Sequence, residues 1–497
     1  MIKSIISIAT GTLLLGCSSP KTINPQIVKK PKPGPQLPYH YNDLKYDEFN
    51  FETPNPLSYR HEIAPGVIAY LLPDNRLPRI QMSAYFVEKG YTSDSLRLAA
   101  NTLYSSLLIS AGGAGLSADK VADTLEYSAA HLNASTGVTH SSVSLDVITK
   151  DFETYLPFLQ ELVLNPSFDS TRLNINKTRI VQNIKHKYDH PASLAGDLYS
   201  EIMYGKNPYF WSLKVDEVPG VSQADLLEES KRFFHSDTIY IGISGDFKVD
   251  EMKTSLKRWI NKWPKKPTNL DQTEAPKVIA KPGVFYIDKD TEQTQIHIGQ
   301  PFVQRPHADY YPASIASYIL GSGGFTSRLV SEVRSKHGLA YSIRSSTGSK
   351  YNYQATTTIS LQTKAPSTLK ALALIKEELK KLITEGPTDA EIEKAKQGLM
   401  ASIPSIFKSP KSTMNALLTN ELYHREMDHF KKYPERLKFI SKKQIQDAYT
   451  KYFHPDNMTI TLVGPIEKIN AGDSLLNLSS FGNVKEVKIS DLERRHD

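Results

Sequence analysis

Ser222 to Phe247 reads SQADLLEESKRFFHSDTIYIGISGDF, and Ser441 to Ile466 reads SKKQIQDAYTKYFHPDNMTITLVGPI. The two stretches follow one plan. Ser222 and Ser441 stand where helix N-caps belong, Phe234-His235 and Phe453-His454 mark the helix ends, and Gly245 and Gly464 close an alternating apolar strand. The offset is 219 residues, whether taken as 441 − 222 or as 464 − 245. Gly66 and Gly283 each precede a strand-like run, and Pro166 and Pro387 each precede a polar helix start. Two copies of one supersecondary plan follow.

Within each half the order runs strand, strand, helix, strand, strand, helices, strand. Gly66 to Leu72 and Arg79 to Glu88 flank Pro73-Asp74-Asn75 and read as an antiparallel, hairpin-like pair. Leu96 to Ile109 reads as a helix, His140 to Val147 as an alternating strand, and Phe152 to Leu164 as a helix ending near Asn165-Pro166. Thr388-Asp389-Ala390-Glu391 is a capping box that opens the matching helix of the second half. The pattern predicts an α+β fold with two homologous domains, each an antiparallel sheet covered on one face by helices. The domains are expected over 46–263 and 283–466, joined by an exposed Lys- and Pro-rich linker over 264–282, with a polar tail over 467–497.

A chain of 497 residues with 39% hydrophobic and 23% charged content is globular and long enough for at least two cores. Its net charge of +7 favours an acidic partner or a membrane surface, and the lack of a dense basic run on a helix or RNA-binding motif argues against nucleic acid.

Cys17 is the only cysteine, so no internal disulfide forms. It follows Lys3, an apolar stretch from Ile5 to Leu15, and Gly16; that stretch is too short to span a bilayer, which takes roughly 20 apolar residues. Leu14-Leu15-Gly16-Cys17 resembles the lipobox of bacterial lipoproteins. The resemblance implies removal of residues 1–16, lipidation of Cys17, and, from Ser18 rather than an aspartate next to it, sorting to the outer membrane of a bacterial cell envelope. The alternative is a buried thiol behind an ordinary secretory leader. Pro20, Pro25, Pro31, Pro33, Pro35 and Pro38 make the following stretch, over 17–45, an extended tether whose Lys29, Lys30 and Lys32 either face solvent or touch anionic headgroups.

Gly299-Gln300-Pro301, Asp309-Tyr310-Tyr311, Gly323-Gly324-Phe325-Thr326-Ser327-Arg328-Leu329 and Lys336-His337-Gly338-Leu339-Ala340-Tyr341-Ser342 together resemble the pitrilysin/insulinase family of metallopeptidases, processing-peptidase branch. The resemblance runs from about Tyr59 to Ile466 and includes Gly205 to Tyr209 and Asn133-Ala134-Ser135-Thr136. It implies two similar α+β domains per chain, with pairs of chains or fused halves closing around unfolded peptide.

Active members of that family carry His-x-x-Glu-His on a helix, where residues four apart share a face and hold one Zn²⁺ while the Glu acts on the water. Aligned on Leu107-Leu108-Ile109, the five positions here are Thr102-Leu103-Tyr104-Ser105-Ser106. Neutral hydroxyls are poor zinc ligands, and Ser105 is no carboxylate base. The downstream Glu that completes the site corresponds to Asn176, or to Asn174 if the register slips, and no acid lies between Asp169 and Asp189. No histidine pair offers a replacement: His424 and His429 are five apart, and His186 and His190 lack an intervening Glu and end near Pro191. No cofactor is expected in this chain, and zinc only in a partner subunit.

In two-chain members the zinc-free chain supplies an Arg/Tyr pair to the substrate, and Arg328 and Tyr341 match it. A guanidinium and a phenol both donate hydrogen bonds to a substrate carbonyl. The competing reading makes Arg328 a surface ion-pair residue and Tyr341 a core aromatic. Asn133, Ala134 and Thr136 match the edge strand on which substrate adds by backbone hydrogen bonds, the alternative being a plain β-edge. Three functions are open: a non-catalytic subunit completing the site of a His-x-x-Glu-His homologue; a stand-alone envelope binding or assembly protein; and an active peptidase with an unorthodox site, which the missing metal, base and fourth ligand oppose.

Overall fold

The computed structural model describes residues 51–87, 96–235, 237–265 and 274–493. Cys17, the leader and tether expected over 1–45, and residues 266–273 of the expected linker lie outside the described residues.

The described residues form two six-stranded sheets flanked by helices, an α+β fold. The first contains β1 (Arg60–Ala64), β2 (Val67–Pro73), β3 (Arg79–Phe86), β4 (His131–Ser135), β5 (Ser141–Ile148) and β6 (Ile239–Gly245), in the order β1-β2-β6-β3-β5-β4. The second contains β7 (Gly283–Asp288), β8 (Gln293–Pro301), β9 (Ala340–Thr347), β10 (Thr356–Lys364), β11 (Thr459–Gly464) and β12 (Val484–Glu486), in the order β12-β7-β11-β8-β10-β9.

The sheets are mixed, which corrects the antiparallel expectation. β6 lies between β2 and β3, parallel to β2 with Val67 opposite Ile239 and antiparallel to β3 with Phe86 opposite Ile239. The expected β2–β3 hairpin therefore does not form; five residues, Asp74 to Pro78, step across the inserted strand. The second half repeats this arrangement, with β11 parallel to β7 and antiparallel to β8. A reason is visible in the side chains. Val67 to Leu72 and Ile239 to Ser244 are continuously buried rather than alternating, the pattern of strands covered on both faces.

The second covering layer comes from the opposite half. One face of the first sheet packs into a core of its own half that includes Leu71, Met82, Phe86, Leu107 and Trp259. Its other face, at Ile68, Tyr70, Leu72 and Tyr240, is closed by Met414, Leu417 and Leu418 of the Pro410–Leu422 helix. Reciprocally, Leu194, Ala195 and Leu198 of the Pro191–Tyr204 helix pack on Ile287 and Val463 of the second sheet. Both helices begin with proline, whose absent N–H costs nothing at that position. They obey the repeat: 410 − 191 is again 219.

Serine capping boxes close at both predicted sites, Ser222 with Asp225 and Ser441 with Gln444, and Thr388 closes one with Glu391. The expected polar tail is not a tail through Asp491. Ile469, Leu478, Phe481 and Val487 are buried, and β12 adds in parallel to β7. Those few apolar residues are spaced among polar ones, which hides them from a periodicity reading. No helix among the described residues is long and apolar enough to cross a membrane.

Candidate functional site

The Leu96–Leu107 helix packs Leu103, Tyr104 and Leu107 into the first core, and Tyr104 stacks on Phe233 with ring centroids 5.7 Å apart. The opposite face carries Thr102, Ser105 and Ser106. Each of these hydroxyls is engaged locally: Thr102 Oγ1 donates to the Leu98 carbonyl at 2.8 Å, Ser106 Oγ donates to the Leu103 carbonyl at 3.0 Å, and Ser105 Oγ accepts from the Thr136 N–H at 3.2 Å. Thr136 Oγ1 also bonds Asn101 Oδ1 at 3.3 Å, so helix and strand are tied by neutral hydrogen bonds.

Asn176 sits on the Ser170–His186 helix, which packs against the Leu96–Leu107 helix. Its amide donates to the Arg172 carbonyl at 3.1 Å and accepts from Arg179 at 2.6 Å. Four hydroxyls or amides, all with local partners, do not fit a divalent zinc ion, whose sites take thiolate, imidazole or carboxylate. Among the described residues no group of three or more His, Cys, Asp or Glu side chains is placed to hold a metal.

β4 is an edge strand, paired on one side with β5 through Asn133 opposite Ser144 and Ala134 opposite Val143. Asn133 is exposed, whereas Ala134 points into the core. The Thr136 N–H is occupied by Ser105, which leaves one fewer donor on this edge for an added strand.

β9 is the corresponding edge of the second sheet, and it carries Tyr341. The phenol is 82% exposed, so the core-aromatic reading does not hold. Arg328 is elsewhere engaged. Its Nε and Nη2 grip both oxygens of Glu391 at 2.7 and 2.9 Å, and Glu378 lies 3.9 Å from Nη1. Glu391 is the capping-box acid whose other bond accepts the Thr388 N–H at 2.8 Å. Burial alone would raise the Glu391 carboxyl, but Arg328 and Thr388 outweigh it and hold the pKa below the usual range.

The arginine that touches Tyr341 is Arg334, a residue not singled out in the sequence. Its guanidinium lies 4.9 Å from the Tyr341 ring centroid and 4.8 Å from that of Phe325, itself 70% exposed. Gly338, at φ +63°, turns the chain between Arg334 and β9 and so creates a neighbourhood that linear spacing does not reveal.

Comparison with known proteins places the chain in a family. Residues 104–216 match the family model for insulinase, peptidase family M16, and residues 220–399 match that for the peptidase M16 inactive domain, more than half of the chain together. The chain belongs to the M16 family. Helicobacter pylori has a relative named non-peptidase homolog YmxG, 25% identical over 382 residues, covering 76% of this chain and 87% of that protein. The uncharacterized zinc protease YmxG of Bacillus subtilis is 26% identical over 321 residues, covering 63% and 76% respectively. Among solved structures, a peptidase M16 inactive domain from Pseudomonas fluorescens superposes with a TM-score of 0.71 at 22% identity, covering 82% of this chain and 97% of that one. A protease from Helicobacter pylori gives 0.69 at 14% identity, covering 82% and 99%. These two likenesses bear on the M16 fold alone.

Proposed function

We propose that this M16 protein is a zinc-less, non-catalytic subunit, anchored through a lipid on Cys17 to the outer membrane of a bacterial cell envelope. It holds unfolded peptide and completes the site of a homologous subunit bearing His-x-x-Glu-His. The observation that carries the non-catalytic reading is the Ser105–Thr136 hydrogen bond, with Thr102, Ser106 and Asn176 likewise engaged, where an active member holds its metal. The peptide-holding reading draws on the exposed Tyr341 and Phe325 and the half-buried Arg334 beside edge strand β9, a surface able to stack on a peptide and donate to its carbonyls. In this assignment Arg328 shapes the Gly323-to-Leu329 segment rather than contacting substrate. The name of the Helicobacter pylori relative, non-peptidase homolog, is consistent with the reading.

Affinity purification of the full chain from its own cells tests the pairing, and metal analysis tests the missing zinc. The expected result is a co-purified zinc peptidase whose activity on unfolded peptide falls when Tyr341→Ala or Arg334→Ala is introduced here, with the pair still assembled. Undiminished activity in both variants would reject the contact role. Stoichiometric zinc in this chain would reject the non-catalytic one. Cys17→Ala is expected to release the protein from membranes, and retention would reject the anchor.

The Arg328–Glu391 pair favours a second reading, a stand-alone envelope binding or assembly protein, because the expected trans-acting arginine is held within its own fold. Recovery of the chain without a zinc-bearing partner would select it.

A further inference from the structure

The C-terminal half carries an open-sided cavity of about 650 Å³ whose walls include Arg305, Arg425, Arg436, Glu426, Tyr351 and His429. Three arginines line it against one carboxylate, Glu426. Arg436 is matched, donating to Glu426 at 2.7 Å and to the Tyr311 hydroxyl at 2.6 Å, and Glu426 is also shared with Lys432 at 3.2 Å. Arg305 and Arg425 have only neutral partners among the described residues. Arg305 is 8% exposed, donates one Nη1 bond to Ser349 at 2.8 Å, and stacks over Tyr310 at 3.8 Å and Tyr351 at 4.7 Å. Arg425 donates to Asn420 at 3.3 Å and lies over the same Tyr351 ring at 4.6 Å. The Nε of each is buried with no acceptor.

Two guanidiniums on one ring repel each other, and a buried N–H without an acceptor forfeits its hydration. Burial, with Arg305 adding to it, pulls the Arg425 pKa below its ordinary value. Cation–aromatic contact offsets part of this cost and supplies no acceptor. A second space of about 880 Å³ shares Arg305, Pro306, Tyr351, Tyr423 and His424 and is lined from the first half by Val87, Val138 and Tyr209. That adjoining room suits a chain with apolar side groups better than an isolated ion.

We propose that the cavity is an oxyanion-binding site that takes the carboxylate of an acidic peptide segment between the guanidiniums of Arg305 and Arg425, which line its wall without a carboxylate of their own. The peptide nature of the ligand rests on the peptide-holding reading above, whereas the anion site stands on the two arginines alone.

The test titrates the full chain at constant ionic strength with tri-glutamate, tri-glutamine and inorganic phosphate, following heat of binding and thermal midpoint. Tri-glutamate is expected to bind saturably and raise the midpoint, and tri-glutamine to do neither. Arg425→Met and Arg305→Gln are expected to weaken tri-glutamate by about tenfold or more. Their ligand-free midpoints should hold or rise, because a buried or half-buried charge without an acidic partner has been removed. On the unaltered chain, tri-glutamate should protect Arg425 from phenylglyoxal, an outcome that depends on no variant folding. Binding of phosphate alone, or of nothing, overturns the proposal. So does a fall in the ligand-free midpoint of both variants with tri-glutamate binding intact, which would make the arginines structural. None of these readouts involves Tyr341 or a partner subunit, so the anion site and the pairing stand or fall separately.

Discussion

The phenol of Tyr199 occupies the space that a Cβ on Gly299 would need. Its Cε2 would lie 2.7 Å from such an atom, and its hydroxyl is fixed by Thr356 at 2.9 Å and Thr358 at 3.0 Å. The other sheet has the counterpart: a Cβ on Gly242 would meet Met414 Cγ at 2.6 Å. Each half thus presents a glycine on the strand face where the other half's helix docks. Gly299→Ala is expected to destabilise the protein by about 1–3 kcal/mol through overpacking against a ring that is held in place. Gly242→Ala should cost less, because the Met414 side chain is flexible and can move aside. Denaturant midpoints measure both; a Gly299→Ala protein as stable as the parent would show that the two halves do not depend on this close fit.

That exchange was not legible in the sequence. Helix caps were, because a capping box is a local exchange of two hydrogen bonds between residues three apart, as at Ser222 and Thr388. The duplication was legible for the same reason, each copy carrying its own caps and strand. Strand order was not: a short link after Pro73 suits a hairpin, and only the continuous burial of β2 and β6 reports a strand inserted between them. At the candidate site, the neutral side chains of Thr102, Ser105, Ser106 and Asn176 are plain in the sequence, because a hydroxyl or an amide is identified by residue type alone. The partner of Arg328 could not, since Glu391 lies 63 residues away and was visible only as a capping residue.

Arg328 and Tyr341 should behave oppositely when truncated. Arg328→Ala leaves Glu391 part-buried with its guanidinium partner gone, and a loss of about 1–3 kcal/mol is expected. Tyr341→Ala removes an exposed ring and should change stability by no more than about 0.5 kcal/mol. Because the folded-state pKa of Glu391 is depressed, its contribution is complete above the unfolded value near 4.5 and declines as pH falls through the lower folded value. The Arg328→Ala penalty should accordingly shrink in acid. Equal penalties at pH 7 and pH 3 would mean that the ion pair is not the source.

His429 supplies a second pH dependence. Burial foremost, then Arg425, Arg305 and Arg436, lower its pKa from 6.5 to about 4. The unfolded chain therefore takes up a proton between these values while the folded chain does not. Stability from this group is whole above about pH 6.5 and is lost progressively as pH falls towards 4, by up to about 3 kcal/mol at about 1.4 kcal/mol per unit. His429→Phe, which cannot protonate and keeps the ring contacts with Phe430 and Tyr433, should flatten that limb of the stability profile. A profile unchanged between pH 4 and 6.5 would assign the limb to other groups.

The last strand offers a test of where the fold ends. β12 pairs Val484 with Val284 and Glu486 with Tyr286, and Val487 packs beside Leu194 and Leu198 of the exchanged helix. Ending the chain after Gly482 would expose the outer edge of β7 and open an apolar seam between the halves, two routes to association with other chains. The truncated protein is expected to unfold at lower denaturant concentration and to self-associate at concentrations where the parent does not, read by unfolding curves and light scattering. A truncated chain that matches the parent in both measurements would return these residues to the status of a dispensable appendage.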